Sequence, residues 1–243
     1  PGRPPVKMGA PITDITAGIL GAMAVSAAYA HKLKTGEGQK IDTSLFEAGI
    51  VHTYWQSAIG LATGVAPGPM GSAHPLNGPY QAFQTTDGWI TLGAANQKNW
   101  LRMLDVLDAP EIADDPRFAE NSDRMTFLKE LEDLLGAIFA KHSTEDWLAR
   151  LDAAGVPAGP VLNVNEMHKD PQTVARDMVV EVDHAQVGPV KTLGIPVKFS
   201  ETPVQVTSSA PVYGQHTREV LSEYGFDEGE IDTLVSAGAV VAD

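Results

Sequence analysis

The sequence predicts a mixed α/β fold, and three patterns in the chain support this prediction. Near the start, a long helical segment is followed by an alternating, strand-like segment and by a second helical segment. In the middle, two strand-like runs flank a turn and are followed by several helical segments. Near the end, further strand-like runs precede two short helices. Helices and strands therefore alternate along the whole chain, which favours a mixed class.

The first predicted element is a long helix. Residues 1–12 are rich in Pro and Gly and form a loop, and Thr13 or Asp14 opens a helix that runs to about Lys34. Basic residues in its last turn suit the negative end of the helix dipole, and Gly36 is placed to end it.

A strand and a second helix are predicted next. From Gln39 to Leu45, apolar and polar residues alternate, which is typical of a half-buried strand. A helix follows over roughly Phe46 to Ala62. Residues 64–79 then contain four Pro and four Gly, so we interpret this stretch as a linker at a domain boundary.

A hairpin is the clearest signal in the chain. The runs Tyr80–Gln84 and Trp89–Gly93 flank Thr85-Thr86-Asp87-Gly88, and we expect Asp-Gly to supply the positive backbone angle of a tight turn. The four tryptophans fall at core-like positions, and we expect them to pack in the interior. Further helices are predicted over 97–107, 122–141, 144–154 and 164–169, with an extended piece over 156–162.

The tail after about residue 178 has a different pattern. Val179–Val182 and Val190–Phe199 are predicted strands around turns at Gly188-Pro189 and Gly194. Two short helices, over about 215–224 and 228–237, are predicted to close the chain.

Composition restricts the classes of partner. Lys and Arg total 17 against 31 Asp and Glu, a net charge of −14, which disfavours nucleic acid and anionic membrane as partners. The chain has no cysteine, which excludes disulfides and thiolate chemistry, and its seven histidines show no metal-ligand spacing. We therefore expect no metal and a cytoplasmic location.

Two features of the first 30 residues bear on membrane and completeness. We expect that no apolar run is long enough to span a bilayer and that Ile15–Ala30 is a buried helix. The chain begins with Pro1 within a loop-like stretch, so we expect a fragment that lacks its front. In such a fragment, the 15–33 helix would leave apolar surface exposed unless a partner or the missing segment covers it.

Four stretches and a tail motif, in this order and spacing, carry a resemblance to a known family. They are Gly9-Ala10-Pro11-Ile12-Thr13-Asp14 with Lys34-Thr35-Gly36-Glu37-Gly38-Gln39, then Gly78-Pro79-Tyr80-Gln81-Ala82-Phe83, then Asp115-Pro116-Arg117-Phe118 with Arg124, then Gly155-Val156-Pro157-Ala158-Gly159-Pro160-Val161, and finally Gly214-Gln215-His216-Thr217. In these motifs the chain resembles the carboxyl-terminal part of the class III coenzyme A transferases, which include formyl-CoA and carnitine-CoA transferases.

This resemblance implies an architecture. It implies an incomplete Rossmann-like large domain, a smaller α+β domain and an interlocked homodimer. Residues 1–70 and 176–243 would belong to the large domain, and residues 71–175 would form the small domain and its connections. The absent amino-terminal segment would supply most of the coenzyme A site, so we expect this chain alone to bind coenzyme A weakly.

The resemblance also implies that Asp14 is the catalytic nucleophile. A carboxylate at a helix start is stabilised by free backbone N–H groups and by the helix dipole. Such a group can attack an acyl-CoA and pass coenzyme A to a carboxylic acid acceptor. Coenzyme A, bound as the acyl-CoA substrate, is the only cofactor that the resemblance implies. From the local sequence, the alternative that Asp14 is only an N-cap stays open.

A second group of candidate residues lies in the linker. The family carries a glycine-rich loop over its active site at this place, which implies substrate-binding roles for Gly68, Gly71, Ser72 and His74. Backbone N–H groups of such a loop can stabilise an oxyanion and exclude water. The alternative is a plain interdomain linker.

Two other functions stay open. An α-methylacyl-CoA racemase of the same superfamily would use the aspartate as an acid and base, but those enzymes follow it with several glycines, whereas Ile15-Thr16-Ala17-Gly18 follows Asp14 here. The chain can also be a non-catalytic assembly half. The sequence does not identify the donor and acceptor acids.

Overall fold

A computed structural model describes residues 6–242, so the part of the predicted first loop over residues 1–5 lies outside the described residues. The chain forms two compact units, Pro1–Val161 and Leu162–Asp243. Both contain helices and strands, which confirms the mixed α/β class. Within the described residues both sheets are antiparallel, so the Rossmann-like large domain and the domain ranges given above stay predictions.

The first helix, α1 (Ile12–Thr35), is where the sequence predicts it. It begins one residue before Thr13 and ends at Gly36, which has φ of +82°. The Gly36 N–H donates to the Lys32 carbonyl over 2.8 Å, which satisfies a carbonyl in the last turn.

The expectation that this helix is buried is wrong. No residue of α1 is buried, and Ile19 and Leu33 are 64% and 71% exposed. Apolar residues are buried only where another element covers them, and α2 covers only part of α1. The apolar surface expected along residues 15–33 is therefore present. The expectation that no apolar run could span a bilayer is also wrong, because α1 is long and apolar enough to do so. Buried helices of globular proteins meet the same criterion, and the absence of a membrane partner stays a prediction.

The strand predicted over Gln39–Leu45 is not formed. Residues 37–44 are irregular, because no strand of the described chain pairs with this segment and a strand needs a partner for its backbone hydrogen bonds. Ser44 instead caps α2 (Leu45–Val51), and its side chain accepts the Glu47 N–H over 3.2 Å.

The predicted helix over Phe46–Ala62 is two helices, α2 and α3 (Tyr54–Thr63). They are separated at His52 and Thr53. The Thr53 hydroxyl donates to the Ile50 carbonyl over 2.7 Å, a local bond that competes with continuation of the helix.

The predicted hairpin is confirmed residue for residue as β1 (Tyr80–Gln84) and β2 (Trp89–Gly93), with Gln84 opposite Trp89. A third strand, β3 (Ala158–Pro160), lies within the predicted extended piece and pairs with β2. The reason given for the turn is wrong, since Gly88 does not have a positive φ. The turn is held instead by the Asp87 carboxylate, which accepts the backbone N–H of Thr144 over 2.8 Å.

Five α-helices and a 3-10 turn complete the first unit within the described residues. They are α4 (Gln97–Leu107), α5 (Pro110–Ala113), the 3-10 turn Pro116–Phe118, α6 (Asn121–Thr126), α7 (Leu128–Phe139) and α8 (Thr144–Ala153). The helix predicted over 122–141 is interrupted at Phe127, whose φ of −107° and ψ of 31° lie outside the helical region. The main hydrophobic core is built from residues between Phe83 and Val156. Trp100 and Trp147 are buried in it, whereas Trp55 and Trp89 are about half exposed, contrary to expectation.

The second unit consists of short elements. They are α9 (Val164–Met167), α10 (Pro171–Ala175), β4 (Val179–His184), β5 (Gly188–Leu193), α11 (Thr217–Glu223) and α12 (Glu228–Ser236). The strand predicted to continue to Phe199 stops at Leu193. Gly194 donates its N–H to the Met178 carbonyl just before β4 over 2.9 Å, and beyond it no partner strand is in reach in this unit.

Candidate active site

Asp14 lies in the first turn of α1 and is exposed. The helix begins after Pro11, which is the N-cap residue and offers no side-chain cap. Asp14 is therefore the third helical residue, and the alternative that it serves only as an N-cap is wrong. Its carboxylate accepts the Thr13 hydroxyl over 3.1 Å. The first-turn N–H groups and the helix dipole favour negative charge at this end of the helix.

The turn that carries Asp14 packs on α2. The Thr16 hydroxyl and the His52 Nε2 are 2.7 Å apart, which joins the two helices by a hydrogen bond. A Cβ at Gly49 would lie 3.3 Å from the methyl group of Thr13. The absence of a side chain at Gly49 therefore lets α2 approach α1 beside the candidate nucleophile.

The first half of the predicted glycine loop, residues 68–72, has few neighbouring atoms. A Cβ placed at Gly68 would have no neighbour within 4 Å, and Gly71 has φ of +63°. Ser72 closes this half against β1, because its hydroxyl accepts the Ala82 N–H over 3.1 Å. The amide N–H groups of Gly71 and Ser72 donate no hydrogen bond within residues 6–242.

His74 begins the second half of the loop and is half-buried. Its backbone N–H donates to the Tyr80 carbonyl over 2.9 Å, and its Nδ1 accepts the Leu76 N–H over 3.1 Å. The imidazole stacks on the Tyr80 ring at 5.2 Å between centroids and meets the Trp55 ring edge to face at 4.7 Å. Trp55, which the sequence places in the core, is thus a neighbour of a candidate site residue.

The end of the loop is fixed by two residues of α6 for which the sequence predicts no role. Asn121 accepts the Gly78 N–H over 3.1 Å and donates to the Leu76 carbonyl over 2.9 Å. Arg124 is fully buried and donates through Nε to the Gly78 carbonyl over 2.8 Å. Its guanidinium lies over the Trp100 ring, 4.8 Å from the centroid. Burial lowers the pKa of Arg124 from its ordinary value, and its hydrogen bonds to carbonyls keep the cation satisfied.

Part of the predicted site lines one cavity. Gly71 and Ser72 border a cavity of about 510 Å³ together with Gln81, Phe83 and Glu132. The Oε1 atom of Gln81 is buried and has no hydrogen-bond partner within residues 6–242. No hydrogen bond joins Asp14 to residues 68–74 in the described part of the chain. The structure therefore groups Gly71 with Ser72 and attaches His74 to Trp55 and Tyr80, and it joins Asp14 to none of them by a hydrogen bond.

No cluster of three or more His, Asp or Glu that could hold a metal is present among residues 6–242. The expectation of metal-free chemistry stays a prediction. What α1 offers is an accessible carboxylate at the positive end of a helix, which is a group able to act as an oxygen nucleophile.

Known proteins resemble this chain over nearly its whole length. An acyl-CoA transferase of Fusarium pseudograminearum is 35% identical over 98% of this chain and 52% of its own length. The succinyl-CoA:glutarate CoA-transferase of Homo sapiens is 33% identical over 97% of this chain and 54% of its own length. The chain thus spans about half the length of these curated relatives.

A solved structure supports the same relationship. The crystal structure of a CaiB/BaiF family protein from Brucella suis matches with a TM-score of 0.75 and 33% identity, over 92% of this chain and 58% of that chain. The family description CoA-transferase family III matches residues 1–217, which include every candidate site residue. The chain therefore belongs to CoA-transferase family III.

Proposed function

We propose that this chain is the nucleophile-bearing part of an enzyme that transfers coenzyme A between carboxylic acids, with Asp14 as the nucleophile. The observation that carries the proposal is the position of Asp14: it is exposed, in the first turn of α1, and without a capping duty. The transferase names of the relatives support this class of reaction over racemisation.

The first half-reaction removes the donor acid from coenzyme A. A carboxylate oxygen of Asp14 attacks the thioester carbonyl of the donor acyl-CoA, the C–S bond breaks, and coenzyme A leaves as the thiolate. The product is a mixed anhydride between Asp14 and the acyl group. The thiolate then attacks the Asp14 carbonyl carbon and expels the donor carboxylate, which leaves an aspartyl-CoA thioester.

The second half-reaction retraces these steps with the acceptor. The acceptor carboxylate attacks the aspartyl thioester and expels the thiolate, which gives a second mixed anhydride. The thiolate attacks the acceptor's carbonyl carbon, and Asp14 departs as a free carboxylate. Each half-reaction converts one thioester and one free carboxylate into another thioester and another free carboxylate. Its overall free-energy change is therefore small, and the reaction needs no other energy source.

The glycine loop supplies the groups that this chemistry needs around the reacting carbonyl. The N–H groups of Gly71 and Ser72, which lack partners within residues 6–242, are the available oxyanion donors. Gly68 gives the first half of the loop freedom to move over a bound substrate. We propose Gly68, Gly71, Ser72 and His74 as the substrate-facing part of the chain.

The remaining parts of the proposal concern the whole protein. A preceding segment would supply most of the coenzyme A site, and two copies would form a homodimer in the cytoplasm. The relatives are about twice as long as this chain, which supports only the first of these parts, whereas the homodimer and the location are carried over from the family resemblance. The experiments below therefore use the full-length natural protein with succinyl-CoA and a panel of dicarboxylates.

Replacing Asp14 by Asn tests the proposal most directly. The variant removes the nucleophile but keeps the size of the side chain, so transfer should fall by about 10³-fold or more. Because Asp14 is exposed and is not the N-cap, Asp14→Asn and Asp14→Ala should lose only the interaction of its charge with the helix dipole, about 0.3–1 kcal/mol of stability. Asp42→Asn, which changes another exposed carboxylate, is the matched control and should retain full activity.

Trapping identifies the covalent step. Hydroxylamine added with acyl-CoA should convert the activated Asp14 carbonyl to a hydroxamate that peptide mass mapping locates. Full activity of Asp14→Asn would end the nucleophile proposal. Solvent exchange of the substrate α-hydrogen without acyl transfer would support the racemase instead. Absence of both reactions would support a non-catalytic assembly role.

A further inference from the structure

The hydrogen bonds of His74 determine which of its nitrogens carries the proton. The Leu76 backbone N–H can only donate, and it points at His74 Nδ1 over 3.1 Å. The Asn77 side-chain nitrogen, also a donor, lies 3.4 Å from the same atom. Nδ1 must therefore carry a lone pair, so the ring is neutral and bears its proton on Nε2.

This ring connects three separate parts of the first unit. It stacks on Tyr80 of β1 with the two planes within 3° of each other, and it meets Trp55 of α3 at 66°. The third part is the loop itself, which it holds through Leu76. A side chain that contacts α3 and β1 and accepts a loop amide fixes the position of the loop against both elements.

We infer that His74 is a positioning residue that holds the glycine loop in place only as the neutral ring protonated on Nε2. The tautomer follows from the geometry alone. The importance of the loop for coenzyme A transfer rests on the proposed function. Gly71 and Ser72, the proposed oxyanion donors, precede His74 by three and two residues. The position of these donors therefore depends on the anchor at His74.

Acidification should release the loop. A second proton on the ring turns Nδ1 into a donor that faces the Leu76 N–H and the Asn77 amide, so the hydrogen bond is replaced by repulsion. Among residues 6–242, Trp55 from α3, Tyr80 from β1 and Asn77 from the loop lie against the ring. Tyr80 alone among them is titratable, and none is a carboxylate that would stabilise the cation.

The tautomer can be read without any activity measurement. In the unmodified protein labelled with ¹⁵N-histidine, the His74 ring at pH 8 should show a proton on Nε2 and none on Nδ1. The hydrogen-exchange protection of the Leu76 amide should be present at pH 8 and should be lost in step with protonation of the ring. A proton on Nδ1 at pH 8, or protection that ignores the titration, would overturn the inference.

Two variants separate the acceptor from the ring. His74→Asn keeps an acceptor near Nδ1 and removes the ring, whereas His74→Phe keeps a ring and removes the acceptor. Leu76 protection should be retained in Asn and lost in Phe, and the pH dependence of protection should vanish in both. The opposite order would show that packing alone holds the loop. Because these readouts do not require turnover, their failure differs from a failure of Asp14→Asn, which tests the transfer reaction.

Discussion

Replacing Arg124 by Met should destabilise the first unit by about 2–4 kcal/mol. Arg124 is fully buried and donates to the carbonyls of Gly78 at 2.8 Å and Phe118 at 3.0 Å. Both carbonyls are buried and would lose their partner, at a cost of about 1–3 kcal/mol each. The Ala119 carbonyl keeps a second donor, the Gln97 side chain at 2.9 Å. The substitution also removes the desolvation penalty of the buried guanidinium charge, which offsets part of this loss. The net destabilisation therefore lies in the lower half of the summed cost of the two carbonyls.

Urea unfolding followed by tryptophan fluorescence measures this change well, because all four tryptophans lie in the first unit. Arg124→Lys should be nearly as unstable as Arg124→Met, since an ammonium cannot reach both carbonyls in the planar geometry of a guanidinium. Arg117→Met is the control. Arg117 is an exposed partner of Asp115, so its removal should leave the midpoint almost unchanged. A decrease of less than about 0.5 kcal/mol in the unfolding free energy of Arg124→Met would refute the reasoning that the hydrogen bond from Arg124 to the Gly78 carbonyl stabilises the unit.

Two further predictions concern local structure. The Asp87 carboxylate accepts the Thr144 backbone N–H, which lowers the pKa of Asp87 below its ordinary value of 3.8. The charge of Asp87 therefore stabilises the fold above pH 3.8, and this stabilisation is lost as the pH falls below 3.8. The melting temperatures of Asp87→Asn and of the parent should differ most near neutral pH and should converge as the carboxylate is protonated. A Cβ at Gly194 would overlap the Asp177 carbonyl, so Gly194→Ala should lower the melting temperature measured by circular dichroism. Gly136→Ala, in an open helical position, should raise stability by about 0.5–1 kcal/mol, and the reverse order of the two would contradict the packing argument.

Elements that depend on local patterns could be predicted from the sequence. The hairpin Tyr80–Gly93 and the helix Gln97–Leu107 agree with the structure to the residue. In the hairpin, alternation selects the strands and the turn residues join them at short range. In the helix, the apolar residues Trp100 and Leu104 recur at helical spacing and face the core.

Elements that depend on a distant partner could not be predicted in this way. The alternation over Gln39–Leu45 predicts a strand, but the strand is absent where nothing pairs with it. The apolar character of α1 predicts burial, but burial requires a covering surface. In both cases the sequence reports what a segment is suited to, and the surroundings decide what it does.

The candidate site divides along the same line. The family resemblance identifies Asp14 as the nucleophile, whereas the local sequence does not distinguish a nucleophile from an N-cap. The sequence does not reveal the residues that hold the end of the loop, because their contacts join distant parts of the chain: Asn121 and Arg124 contact Gly78 across 43 and 46 residues. Arg124 belongs to one of the family motifs, but no local pattern assigns either residue a contact with Gly78.

The exposed apolar face of α1 has a consequence for the proposed reaction. Ile15 and Ile19, on the same helix as Asp14, are more than half exposed, and so much apolar surface invites a covering partner. Ile15 follows Asp14 directly in the chain, so a surface that covers Ile15 would displace water near the carboxylate. An oxyanion stripped of part of its hydration shell is a stronger nucleophile than one in bulk solvent, and its electrostatic interactions gain strength in the drier surroundings. If Asp14 is the nucleophile, as proposed, a contact that covers this face of the helix would therefore also raise the reactivity of the carboxylate.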